Sequence, residues 1–384
     1  TFLLLAFIFR NQIQLIFKNI PFYPYFSYTI GIAFLLTFEH LPKLYYRLKE
    51  KALSFVSLSL IYMILTTSLI IWFVVFKQEG ALGYLKGQFI SSAIMLILYL
   101  IISFKISTLN FDSKIIKNLL QFTIPFIPPL FISWFLTQSN RVFLDQLVSL
   151  DSVGIFSFST KIAMTTSIFT TALMISFEPN FYKLANLGEK GKNKISSFFS
   201  FFMFTAIFSS FIIAFLAKEL LIIFFNSEYS ESYDVIAIVI LANVLSTFGA
   251  ITSLFFQQSK KMVANMNIAI VVAILSFILN YFFITYFYEY GAAFSLFFVS
   301  LFAFVSAYIY ARRYCYSVNL PIYSTFLTMF LLVSIYVLLN DLFGGLGLIY
   351  IILIKSLVIL LIGIVFFIKF KKNIHSFLNF ASKK

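Results

Sequence analysis

The stretch from Lys260 to Arg313, KKMVANMNIAIVVAILSFILNYFFITYFYEYGAAFSLFFVSLFAFVSAYIYARR, decides what kind of molecule this is. Between its two basic pairs the sole charged residue is Glu289, with apolar runs over 263–287 before it and 291–311 after it. At a helical rise of about 1.5 Å per residue, each run is long enough to cross a hydrocarbon layer of about 30 Å. Basic residues collect on the cytoplasmic face of a membrane protein. Lys260, Lys261, Arg312 and Arg313 therefore mark that face, and Glu289 marks the opposite one. The segment reads as one helix out and one helix back.

The pattern extends in both directions. Apolar runs lie at about 1–17, 22–41, 52–76, 84–104, 117–139, 152–177, 194–218, 232–256, 321–340 and 344–368, so the chain is expected to be all-α and polytopic, with about twelve spans. Composition agrees. Of 384 residues 61% are hydrophobic and 11% charged, where a soluble domain carries about 25% charged residues, and the mean hydropathy is +0.98. The chain starts inside an apolar run at Thr1 and Phe2, without an initiator Met, a basic leader or a small-residue cleavage pattern. The expectation is an incomplete N-terminus, with helices missing upstream.

Charge supplies the topology. Lys43, Arg47, Lys49 and Lys51, then Lys105, Lys114 and Lys117, then Lys183, Lys190, Lys192 and Lys194, then the two pairs above and Lys369, Lys371, Lys372, Lys383 and Lys384 occupy every second connection and the C-terminus. The alternate connections hold fewer basic residues and most of the acids: Lys18; Lys77, Glu79 and Lys86; Arg141, Asp145 and Asp151; Lys218, Glu219, Glu228, Glu231 and Asp234; then Glu289 and Asp341. This places both observed ends of a multi-pass membrane protein in the cytoplasm. The net charge of +14 is scattered over short loops, which argues against nucleic acid as a partner. The loops also leave no room for a soluble catalytic domain. The polar segment 105–117 divides the chain into a partial N-terminal lobe over 1–110 and a C-terminal lobe with the remaining helices over 111–384.

Charges inside apolar runs are the candidate functional groups. Arg10, Lys161 and Lys355 lie within spans and Arg141 just beyond one. A charge facing lipid is costly, so such side chains turn inward, snorkel or pair. Cations without matching anions point to an aqueous cavity for an anionic substrate, with phosphate or pyrophosphate foremost, since Arg offers a planar fork and Lys a point charge. The plainer readings are interfacial anchoring for Arg141 and Lys355, and pairing with Glu39 for Arg10. Glu39, Asp145 and Glu178 are candidates for proton or Na+ coupling, or are helix-end and salt-bridge acids. Pro125, Pro128 and Pro129 are expected to kink or interrupt their helix and so to form a hinge, although membrane helices also absorb proline by local adjustment. Asn243, Asn265, Asn267 and Asn280 read as hydrogen-bonding points between helices. Gly83 and Gly87 permit close backbone approach. The segment LPKLYYRLKEK, residues 41–51, is amphipathic and fits either the lipid surface or a plain linker. Cys315 alone, with His40 and His375, makes no disulfide, zinc or haem pattern, and phosphate-loop, dinucleotide and zinc-protease motifs are missing. No cofactor or metal is expected.

The run FTIPFIPPLFISWFLTQSNRVFLDQLVSLDSVGIFSFSTKIA at 122–163, leading to FEPNFYKLA at 177–185, resembles the start of the second lobe in the bacterial polysaccharide flippases, also called O-antigen repeat-unit translocases. Those belong to the exporter superfamily that includes multidrug and toxin extrusion proteins and the lipid II flippase. The shared features are a proline-containing helix, an Arg before a short loop, a Gly-containing entrance to the next helix, a basic residue within it and an acid and proline at its end. Asn140 stands where an acid often precedes that Arg. The resemblance implies a fourteen-span plan, of which these would be the third to the fourteenth. It also implies that the chain exports an undecaprenyl-pyrophosphate-linked sugar unit, with glycosyltransferases acting before it and a polysaccharide polymerase or ligase after it. Arg141 and Lys161 match basic positions of that family, and Pro129 a helix-breaking one.

The sequence thus points to a transporter that alternates access around a cationic cavity, with Arg10, Arg141 and Lys161 receiving the pyrophosphate and the lipid tail remaining in the bilayer. The rivals are an ion-coupled drug exporter, which calls for a dominant buried acid, and an integral membrane polymerase or glycosyltransferase, which calls for a larger external loop or a cluster of acids. Around Glu228, Glu231 and Asp234 such a cluster is short.

Overall fold

The computed structural model describes residues 10–11, 14, 20–49, 51–107, 112–114, 116–117, 120, 127–224, 232–316, 318–343 and 348–381, and every element among them is helical. The chain forms two compact units, Thr1–Pro125 and Phe126–Lys384. The division thus falls beyond the charged segment from which the sequence placed it between 110 and 111. Among the described residues, seven helices are long and apolar enough to cross a membrane by length and composition. This is an all-α, multi-pass membrane fold with two helical lobes.

In the first unit a π-helical turn, Phe22–Phe26, leads into α1, Ser27–Thr37. After it come α2, His40–Leu48, then α3, Ala52–Ile71 with a π-helical end at Trp72–Phe76, and α4, Gly80–Ile106. Leu58, Met95 and Tyr99 form its small buried core. The approach of α3 to α4 depends on the two glycines read from the sequence. A Cβ at Gly83 would lie 2.9 Å from the Phe73 carbonyl oxygen, and one at Gly87 would lie 2.8 Å from the Ile70 backbone nitrogen. These neighbours are backbone and cannot rotate away. Gly87→Ala is expected to cost about 1–3 kcal/mol through forced separation of the helices, read as a lower thermal midpoint in detergent. An unchanged midpoint would contradict the close packing.

The second unit contains α5, Ile127–Leu147; α6, Leu150–Thr165; α7, Ser167–Ala185; α8, Gly188–Phe224; α9, Ser232–Gln258; α10, Met262–Tyr314; α11, Ile322–Phe343; and α12, Leu348–Ala381. Its core is largely phenylalanine, with Phe181, Phe199, Phe202, Phe215, Phe248 and Phe255 completely enclosed. The Ser149 hydroxyl starts α6 by accepting from the Ser152 amide at 3.2 Å, which satisfies a donor that a helix N-terminus leaves free.

Helix α10, which carries the two long apolar runs between the basic pairs, consists of two helical limbs joined at a kink. An unbroken helix of its 53 residues would measure about 80 Å, far more than a hydrocarbon layer of about 30 Å. Tyr288, with φ 51° and ψ −124°, breaks it. The rings of Phe283 and Phe298 then stack with centroids 5.7 Å apart, where a straight helix would hold the residues about 22 Å apart. The reversal falls beside Glu289, as the charge pattern requires. Gly291 makes it tight, because a Cβ there would overlap the Phe283 carbonyl oxygen.

Three boundaries differ from the sequence reading. Helix α5 continues through Arg141 and Asp145, and α8 continues through Lys218 and Glu219, all assigned to connections by their charge. A charged side chain does not end a helix when its head is paired or half-buried, and here no proline or glycine intervenes. The run 152–177 is two helices, α6 and α7, separated at Thr166. Pro128 and Pro129 stand in the first turn of α5, where an amide donor has no intrahelical partner to lose. Pro125 lies outside the described residues.

Candidate functional site

Where α5 packs on α10, neutral polar side chains are collected out of contact with solvent. The Asn140 amide donates to the Ala292 carbonyl oxygen at 2.8 Å. The Asn280 amide donates to the Ser139 hydroxyl at 3.0 Å, and the hydroxyls of Ser139 and Ser276 are 3.4 Å apart. Since Ser276 and Ala292 stand on opposite limbs of the α10 reversal, this cluster ties α5 to both. Buried polar groups are held only when paired. Asn140→Ala would remove the donor that links α5 to the Ala292 carbonyl, at a cost of about 0.5–1.5 kcal/mol. The expected readout is a lower denaturation midpoint, whereas an unaltered one would mean that the cluster does not hold the helices.

Beside the cluster the second unit contains a cavity of about 460 Å³ with Asn140, Thr160, Asn243, Ser246, Asn265 and Ser300 among its lining residues. Asn243 reaches from α9 to the junction of α6 and α7. Its amide is 2.9 Å from the Ala163 carbonyl oxygen, 2.8 Å from the Thr166 hydroxyl and 2.9 Å from the Ser167 hydroxyl. The Ala163 carbonyl also accepts from the Thr166 amide at 3.1 Å and the Thr166 hydroxyl at 2.6 Å, so Asn243 adds a contact from another helix. Asn243 and Asn280 thus do what the sequence assigned them, bonding between helices.

The cations fall into different surroundings. Arg141 follows the cavity-lining Asn140 on α5 and is half-buried. Its Nη1 donates to the Gln138 side-chain oxygen, while its Nε is enclosed and has no hydrogen-bond partner among the described residues. Lys161 follows the cavity-lining Thr160 on α6 and is exposed. Lys355 is instead buried against Glu219, 2.9 Å away. Arg10 is helical and exposed in the first unit. Its suggested partner Glu39 accepts from Lys43 at 2.9 Å and from the Tyr99 hydroxyl at 3.5 Å. Of the other acids, Asp145 is buried one turn beyond Arg141 and Glu178 is exposed on α7.

Sequence reasoning missed Glu219 as an acid inside the bundle. The signal was present, because LLIIFF at 220–225 continues the apolar run beyond it. A cut at the first charges, Lys218 and Glu219, ended the span too soon.

The chain matches no protein-family model, and no curated protein is detectably similar to it in sequence. Solved structures are similar in fold. The lipid II flippase MurJ in an inward closed conformation aligns with a TM-score of 0.73 at 15% identity, covering 97% of this chain and 81% of that one. An outward-facing multidrug resistance MATE family transporter of the MOP superfamily aligns at 0.48 with 14% identity over 75% of this chain and 68% of that one. A MOP superfamily transporter from Pyrococcus furiosus gives 0.48 and 14% over 74% and 68%. Through the first of these alignments, the chain has the fold of the lipid II flippase along nearly its whole length.

Proposed function

We propose that this protein moves an undecaprenyl-pyrophosphate-linked oligosaccharide from the cytoplasmic to the outer leaflet of the bacterial cytoplasmic membrane by alternating access. The observation that carries the reading is Arg141, a permanent cation half-enclosed within α5, whose Nε has no hydrogen-bond partner among the described residues and which follows Asn140, one of the polar side chains lining a mostly apolar cavity. A cation held inside an apolar bundle with donor capacity to spare is suited to an anion brought by the substrate. Lys161, exposed on the next helix and next in sequence to the cavity-lining Thr160, is assigned as a second charge. The likeness of the fold to a flippase for a lipid-linked substrate supports the same class of cargo.

In this account the pyrophosphate is met by Arg141 and Lys161 of the second unit, and Arg10 of the first unit is a separate candidate named by its charge alone. The polyprenyl tail stays in lipid, so the polar head crosses without dragging hydrocarbon through water. The chain contributes twelve spans with both observed ends in the cytoplasm. Glycosyltransferases supply the cargo, a polymerase or ligase consumes it, and a proton or Na+ gradient biases the cycle. No covalent bond changes.

The test is flipping of a fluorescent undecaprenyl-pyrophosphate oligosaccharide by purified protein in vesicles. Losing one charge-assisted contact of about 1.5–3 kcal/mol corresponds to about 10- to 100-fold. R141Q/K161Q is expected to slow flipping by at least that factor while its thermal midpoint is retained, with Arg10→Gln as a separate arm. Flipping by R141Q/K161Q at the unmodified rate would reject the assignment.

A further inference from the structure

Glu219 on α8 and Lys355 on α12 form an ion pair sealed inside the second unit, 3% and 1% exposed respectively. The Lys355 ammonium donates to Glu219 Oε1 at 2.9 Å, to Glu219 Oε2 at 3.1 Å and to the Phe215 carbonyl oxygen at 2.8 Å. An ammonium has three donors, so none remains for a phosphate oxygen. Lys355 is therefore set apart from Arg141 and Lys161, with which the sequence grouped it.

A sealed ion pair adds little stability over apolar residues of the same volume, and ionisable groups inside membrane helices mark ion and proton pathways. Two further observations single out this pair. Among the described residues the only buried acids are Glu219 and Asp145. Helix α12 otherwise attaches through partly buried apolar side chains, with Val358, Ile359 and Ile362 packed on the core, and over 349–368 Lys355 is its one fully buried side chain. Phe370 packs among Phe201, Phe204 and Phe366. Near the start of α12, the pair is its polar tie to α8, beside the apolar contacts of Val358, Ile359 and Ile362. That pair lies near the end of α8 and the start of α12, which face the outside in the proposed orientation.

We propose that Glu219 is a proton-binding site through which an external proton drives transport, with Lys355 as its counter-charge. While the carboxylate is ionised, α12 is clasped to α8. A hydronium ion transfers its proton to one carboxylate oxygen, leaving water, neutral Glu219 and an ammonium without its anion, so proton uptake and release of α12 are one event. The other titratable groups bearing on the pair are Lys218 on α8 and Tyr336 on α11, and Tyr336 is in turn faced by Tyr233 and Asp234 on α9. The inference rests on the transport reading above and adds the coupling residue to it.

The experiment compares initial flipping rates of the same fluorescent pyrophosphate lipid in vesicles, with and without an imposed gradient of about one pH unit. One proton per cycle allows at most about tenfold per unit. The unmodified chain is expected to speed up severalfold, E219L/K355M to flip at one rate in both conditions, and the exchanged pair E219K/K355E to regain the response. Thermal midpoints establish that the variants are folded. A gradient response in E219L/K355M, or none in an unmodified chain that flips, overturns the inference alone. An unmodified chain that does not flip the probe in either condition sinks the transport reading, and the inference with it.

Discussion

Lys355→Met on its own is expected to lower the unfolding free energy by about 3–5 kcal/mol, the usual cost of breaking a buried ion pair by removing one partner. The cost lies mainly in what remains. Glu219 would stay enclosed at 3% exposure with no ammonium near it, and the Phe215 carbonyl would lose the donor now 2.8 Å away. The same reasoning makes the double variant milder than either single one. E219L/K355M removes both charges and fills the space with carbon, a change that is neutral or stabilising by about 1–4 kcal/mol in comparable buried pairs. Denaturation midpoints of the four proteins in one lipid-detergent mixture would measure the coupling. Additive losses would contradict the pairing, since groups in direct contact are not additive.

Gly291→Val should rank second in severity, at about 3 kcal/mol or more, because overpacking against backbone exceeds the usual side-chain penalty. A Cβ at position 291 would overlap the Phe283 carbonyl oxygen, and the fixed turn at Tyr288 leaves the two limbs of α10 no way to separate without giving up the bond from Asn140 to Ala292. Gly154 is the control. A Cβ there meets nothing within 4 Å, so Gly154→Ala within α6 should stabilise by up to about 1 kcal/mol through helix propensity alone. If both substitutions behaved alike in thermal unfolding, the tight reversal would be wrong.

The reversal is legible in the amino-acid sequence, because Lys260–Lys261, Glu289 and Arg312–Arg313 write its three corners in charge. Gly83 and Gly87 are equally readable, since two glycines one turn apart leave a strip of bare backbone on one helix face. Helix ends near charge are harder. Arg141, Asp145, Lys218 and Glu219 look like loop residues because hydropathy counts a charge as water-seeking. Whether a charge ends a span depends on its partner, and the partner of Glu219 lies on a helix far along the chain. The split of 152–177 is hidden for a similar reason. No proline or glycine marks Thr166, and the hydrogen bonds there come from Thr166 itself and from Asn243 on α9. Position along the chain reveals which residues are polar within the membrane, but pairing decides which of them remain available to a substrate.

The most direct test of the account is the choice of cargo by the purified chain in vesicles. A labelled undecaprenyl-pyrophosphate oligosaccharide and a labelled phosphatidylcholine would be compared for protection from a membrane-impermeant quencher. The account predicts that the pyrophosphate lipid crosses, that phosphatidylcholine crosses no faster than in protein-free vesicles, and that R141Q/K161Q removes the difference. Equal crossing of both lipids, or of neither, would contradict it.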